Sequence, residues 1–242
     1  PGRLVGVLCI GGRDPAARLT ARDLRVIRSF ADFLSIQISH SEARHEALSL
    51  GMLQREIAIA AQVQRSLLPR SLPELPGFTC SAVLRPALLV GGDFYDFVKL
   101  EDKGTLLVIA DVMGKGPAAA LFAIIFRSHL HTLTHLAPRP AEMIARLTIL
   151  LFEDLDSSDM FVSAQLAWLD HATGQITIAS AGHCPALIMD RTGGHLSEAC
   201  SEGPPLGITR DAVFDEMRPD PARLWHLVML TDGSTEARNS QG

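Results

Sequence analysis

The chain has 242 residues, 47% of them hydrophobic and 20% charged, enough for one large or two smaller domains with a sizeable core. A net charge of −5 supplies no strong positive field, so nucleic acid and anionic membranes are excluded as the leading partners.

Residues 3–10, Arg-Leu-Val-Gly-Val-Leu-Cys-Ile, are apolar and β-rich and end at Gly11-Gly12, which predicts a strand followed by a polar loop through Pro15. Thr20 and Asp23 stand at capping-box spacing before Leu24, Ile27, Ala31, Leu34 and Ile38, an amphipathic helix by its steps of three and four. One strand and one helix cannot bury each other's apolar faces, so residues 1–40 read as the tail of a larger domain.

From Leu50 the spacing resumes through Leu53, Ile57, Ala60, Gln64 and Leu67. This is a coiled-coil seam that predicts a homodimer, with Gln64 as a polar residue that fixes register. The alternative is a helix that packs only on its own domain. Pro69, Pro73 and Pro76 form a stiff hinge, which places the boundary between a helical linker, 41–76, and a domain over 77–242.

Beyond the hinge, strands are expected at Phe78–Leu84, Asp93–Leu100, Thr105–Asp111, Phe161–Leu169, Gln175–Ala179, Ala186–Met189 and Trp225–Thr231. Helices are expected at about 117–135 and 140–153. Many strands with clustered helices predict an α+β layered domain. Cys9, Cys80, Cys184 and Cys200 form no C-x-x-C pair, which fits reduced thiols in a cytoplasmic protein. No long apolar run or secretory leader is present, so no membrane segment is expected.

Three acidic segments share one design, an aspartate at a strand end with glycine beside it: Gly91-Gly92-Asp93, Asp111-Val112-Met113-Gly114 and Thr231-Asp232-Gly233. Each alone is also an ordinary turn signal. Together they suit a hard divalent cation, because oxygen-only donors favour Mg²⁺ or Mn²⁺ and glycine lets carbonyls approach. Other chemistries fit less well. His131 and His135 lie one helical turn apart with no third ligand for zinc, and read as a surface helix. Gly114-Lys115-Gly116 lacks the rest of a P-loop. Asp154-Leu155-Asp156 reads as a solvated loop rather than a phospho-acceptor. No cysteine has an arginine six positions later, which argues against a cysteine-dependent phosphatase.

Six ordered motifs resemble the SpoIIE-like phosphatases, the bacterial branch of the metal-dependent type 2C (PPM) superfamily. They are Leu67-Leu68-Pro69, Val90-Gly91-Gly92-Asp93-Phe94-Tyr95-Asp96, Ala110-Asp111-Val112-Met113-Gly114-Lys115-Gly116, Ala181-Gly182-His183, Pro205-Leu206-Gly207 and the run from Thr231 to Asn239. The resemblance implies an α-β-β-α sandwich and a phosphatase acting on phosphoserine or phosphothreonine. A two-metal site of Mn²⁺ or Mg²⁺ would activate water. Paired metals of this kind stand about 3.5–4 Å apart.

By residue, the resemblance makes Asp93, Asp111, the Val112 carbonyl and Asp232 ligands, and Asp96, Gly92, Gly114, Gly233 and His183 supporting residues. For His183 a structural or supporting role is favoured, since hard metals prefer oxygen. The implied substrate is a phosphorylated regulatory protein, an anti-sigma-factor antagonist of the STAS type. Residues 1–40 resemble the end of a GAF domain. Family members carry a further aspartate ligand beyond the equivalent of Gly242, so weak metal binding and little turnover are expected of this chain. The competing expectation is a metal-free, dimeric binding module.

Overall fold

A computed structural model describes residues 6–9, 19–85, 89–100, 103–136, 139–190, 196–199, 203–220 and 226–235. The chain divides into two compact units, Pro1–Glu56 and Ile57–Gly242. The second therefore begins inside the linker helix, ahead of the proline hinge.

The helices expected at 20–38 and from Leu50 are one helix, α1, Ala21–Leu67, 47 residues long. Its start is the expected capping box. Thr20 N donates to Asp23 Oδ2 at 2.9 Å and Asp23 N donates to Thr20 Oγ1 at 3.3 Å, which satisfies two backbone donors reciprocally. Gly51 does not break the helix, which tolerates glycine at a cost of about 1 kcal/mol. Within the first unit, Leu24, Phe30, Phe33, Ile36, Leu50 and Leu53 are each more than half exposed. The strand expected over 3–10 is absent at residues 6–9, and the rest of it lies outside the described residues.

The second unit holds a four-stranded antiparallel sheet in the order β1-β2-β3-β4: Phe94–Leu100, Gly104–Val112, Val162–Asp170 and Ile176–Ala181. Helices α2, Pro117–Thr134, and α3, Pro140–Ser157, cover one face, and both begin with proline at the first helical turn. Proline is pre-set for the helix there and removes an N–H that has no partner anyway. Strand alternation makes this layer: Leu106, Val108, Ala110 and Val112 of β2 join Phe126, Leu130, Leu147 and Leu151 of the helices in one core. Leu107, Ala167, Leu169, Ile176 and Ile178 join a second core.

That second core is completed by a smaller sheet, β6-β5-β7, formed by Leu196–Ala199, Ala186–Met189 and His226–Val228. Three layers of the expected sandwich, helices, sheet and sheet, are thus present among the described residues. None of the helices there is long and apolar enough to cross a membrane.

Two strand expectations change. Residues 78–84 are not a strand, apart from a bridge between Leu75 and Phe78. Apolar alternation makes a strand only where a neighbour takes its hydrogen bonds. Conversely β6 was not expected, because Leu-Ser-Glu-Ala has little β-propensity and forms by pairing with β5.

Candidate metal centre

The register of β1 on β2 sets Phe94 opposite Ala110. One step further along, Asp93 stands opposite Asp111. Because Phe94 and Ala110 face the helices, the pleat turns both carboxylates to the other side of the sheet. Continuing across the sheet, Asp111 pairs with Ser163 of β3.

Glycine makes the approach possible. A Cβ at position 92 would lie 2.3 Å from the Val112 carbonyl oxygen, and Val112 N donates to the Gly92 carbonyl at 3.4 Å. Gly92 is thus packed on the backbone group expected to be a ligand. Gly114 has φ +93 with open space around it and shapes the loop after β2. Gly233 has neither a positive φ nor a close neighbour; a Cβ there would be 4.0 Å from Asp93 Oδ2. That distance, ordinary van der Waals contact, sets the turn beginning α4, Asp232–Thr235, beside Asp93.

The electrostatics are those of carboxylates held too close. Burial, then the charges of Asp93 and Asp232, push Asp111 up to about 7, and a hydrogen bond shared with Asp93 adds to this. Asp93 is raised as well, chiefly by burial and with the Asp232 charge contributing, against lowering contacts from Asp111 and Thr231. Its Oδ1 is buried without a hydrogen-bond partner. Asp232 itself is exposed at the rim. A divalent cation fits this donor set: it would satisfy the orphaned oxygen and neutralise the repulsion. No three ligating side chains among the described residues already enclose an ion; the carboxylates are neighbours rather than a closed cage.

His183 is 7% exposed. Its Nδ1 lies 2.8 Å from Ser163 Oγ, and its backbone N donates to Ser180 Oγ at 3.3 Å. Burial lowers its pKa, opposed by the Leu230 carbonyl and the Asp232 charge. It therefore lies between Ser163 and the turn that carries Asp232.

Asp96 is placed differently from the expectation that it supports the metals. It faces α2, is 2% exposed, and its Oδ2 lies 2.8 Å from Arg127 Nε and 2.6 Å from His131 Nε2. Its Oδ1 accepts the Phe97 N–H at 2.8 Å. Asp96 ties β1 to α2, on the sheet face away from Asp111. This accounts for His131 without zinc. Gln64 is also reassigned. Its Nε2 donates to the Gly91 carbonyl at 2.7 Å and its Oε1 accepts from Gly91 N at 3.4 Å. It thus holds the loop ahead of Asp93 instead of lying in a dimer seam. Sequence reasoning missed Ser163, Thr231 as a neighbour of Asp93, Arg127 and the Gln64–Gly91 pairing; only Ser163, two residues from Phe161 in an alternating strand, carried any signal.

Two antiparallel sheets with outer helices and carboxylates at one sheet end define a PP2C-type fold. The chain superposes on the SiaA-PP2C domain of Pseudomonas aeruginosa with a TM-score of 0.64 at 23% identity, over 76% of this chain and 74% of that one. It also superposes on the PP2C phosphatase domain of SpoIIE from Bacillus subtilis with a TM-score of 0.52 at 19% identity, over 61% and 43%. The profile of the Stage II sporulation protein E (SpoIIE) family matches residues 101–242, and the chain belongs to that family.

Among relatives, phosphoserine phosphatase RsbU of Bacillus subtilis is 30% identical over 222 residues, 90% of this chain. Phosphoserine phosphatase RsbP of the same organism is 24% identical over 184 residues, 74% of this chain. The chain spans 65% of the length of RsbU and 45% of that of RsbP. The family match includes Asp111 and Asp232; Asp93 precedes it.

Proposed function

We propose that the chain is a metal-dependent phosphoprotein phosphatase that hydrolyses phosphoserine or phosphothreonine on a regulatory protein. The observation that carries this is the pair Asp93 and Asp111, facing across two strands with one buried oxygen unpartnered. The SpoIIE family membership and the two relatives named phosphoserine phosphatases supply the reaction class.

Asp93, Asp111 and Asp232, with the Val112 carbonyl, hold Mn²⁺ or Mg²⁺ in this reading. The bound ions supply a water of lowered pKa and neutralise phosphoryl oxygens. The chain's own part is to converge the acidic side chains at one end of the sheet. The substrate proposed is a STAS-type anti-sigma-factor antagonist, by family resemblance alone. Pairing of two copies through α1 is proposed as well, supported by the exposed Leu50 and Leu53.

Calorimetric Mn²⁺ titration, with a phosphatase assay on aryl phosphate, tests the reading. Asp111→Asn is expected to abolish the heat of Mn²⁺ binding, together with whatever turnover the unaltered chain shows. Undiminished Mn²⁺ binding by that variant would remove Asp111 from the site and the proposal with it.

A further inference from the structure

His183 is held more firmly than a filler of the core requires. Gly182 before it has φ +62, and a Cβ there would stand 2.5 Å from the Pro205 ring, so the backbone admits only glycine. A parallel bridge sets Gly182 beside Ala164 of β3. Ser180 Oγ pins the His183 backbone N–H at 3.3 Å. Ser163 meets the ring with both its hydroxyl and its backbone carbonyl.

Ser163 Oγ lies 2.8 Å from Nδ1, and Ser163 is the cross-strand partner of Asp111. Nε2 is buried with no hydrogen bond among the described residues, and the Leu230 carbonyl and the Asp232 carboxylate lie close enough to the ring to favour its charged form. Both neighbours only accept. The Ser163 hydroxyl can donate to Nδ1, and in that tautomer the ring proton stands on Nε2, able to meet these two acceptors.

We propose that Ser163 and His183 form a two-link strut from the strand beside Asp111 to the turn that carries Asp232, and so are positioning residues for cation binding. The inference rests on the metal reading above and goes beyond it by naming what sets the third carboxylate. The strut touches neither substrate nor reacting atoms. Groups that orient a metal's ligands are worth about 10–100-fold in metal affinity, and that is the magnitude expected here.

The test titrates Mn²⁺ into the 242-residue chain by electron paramagnetic resonance, with thermal unfolding in parallel. Ser163→Ala is expected to weaken Mn²⁺ binding by about 10–100-fold with a smaller change in stability, and Ser163→Thr, which keeps the hydroxyl, to restore it. His183→Ala is expected to match Ser163→Ala; should it not fold, the Ser163 pair decides. Binding by Ser163→Ala within threefold of the unaltered chain overturns the strut, as does equal loss in the alanine and threonine variants. Asp111→Asn separates the two levels. If the unaltered chain takes up no Mn²⁺, or if Asp111→Asn binds it undiminished, the metal reading fails rather than the strut.

Discussion

Gly92 and Gly233 each flank an aspartate and look alike in sequence, yet they meet different surroundings. A methyl at 92 would press on the Val112 backbone at 2.3 Å, whereas one at 233 would meet nothing closer than 3.9 Å. Backbone cannot step aside as the end of a flexible side chain can. Gly92→Ala is therefore expected to cost about 1–3 kcal/mol in urea unfolding and to weaken Mn²⁺ binding. Gly233→Ala should stay within about 0.5 kcal/mol in the same unfolding experiment. Equal stability losses would remove the steric argument.

The raised Asp111 gives a second test, on the metal-free chain. Its folded pKa, about 7, lies above its ordinary value of 3.8. Folding therefore favours the protonated form, and the penalty for ionisation grows as pH rises from about 4 to about 7. Stability of the metal-free chain should fall across that window and level off above it. Asp111→Asn should flatten the profile, and a slope unchanged in the variant would assign it elsewhere. Composition and the aspartate–glycine motifs pointed to the carboxylates, but not to which pair shares a hydrogen bond, because that depends on strand register.

Between elements, the informative residue is Asp96. Its place in Gly92-Asp93-Phe94-Tyr95-Asp96 suggested a role toward the metals, but period-two alternation sends residues 93 and 96 to opposite faces. There it meets Arg127 and His131 of α2. Asp96→Ala would leave a guanidinium beside the helix–sheet core without its carboxylate, a loss of about 3 kcal/mol. Mn²⁺ affinity should change far less than in Asp111→Asn. Paired thermal unfolding and Mn²⁺ titration check this; a loss of affinity without loss of stability would return Asp96 to the metal site.

The helices were legible because their signals are local: Thr20 with Asp23 at the start of α1, and Pro117 and Pro140 at the starts of α2 and α3. Strands were less so. Residues 78–84 had the alternation without a partner, and residues 196–199 had a partner without the alternation. What decides a strand is its neighbour, and a neighbour distant in sequence leaves no local mark.

The long helix α1 belongs to both compact units, and this limits where two copies of the chain can pair. Of the predicted seam, Ile57 packs with Ala61, Val90 and Ala120, and Gln64 is bound to Gly91. Ala61 is 1% exposed, so the helix there is pressed on its own domain, as small side chains allow. The seam that remains open lies ahead of Ile57, where Leu50 and Leu53 are 55% and 53% exposed. About one heptad of the predicted seam remains, marginal as a coiled coil, so pairing should be weak and depend on concentration. Light scattering across a dilution series should show a dimer that dissociates on dilution, and Leu50→Glu with Leu53→Glu should give monomer throughout. Because these residues lie outside the unit that holds the aspartates, the double variant should keep its Mn²⁺ affinity. A dimer that survives both glutamates would place the interface elsewhere on the molecule.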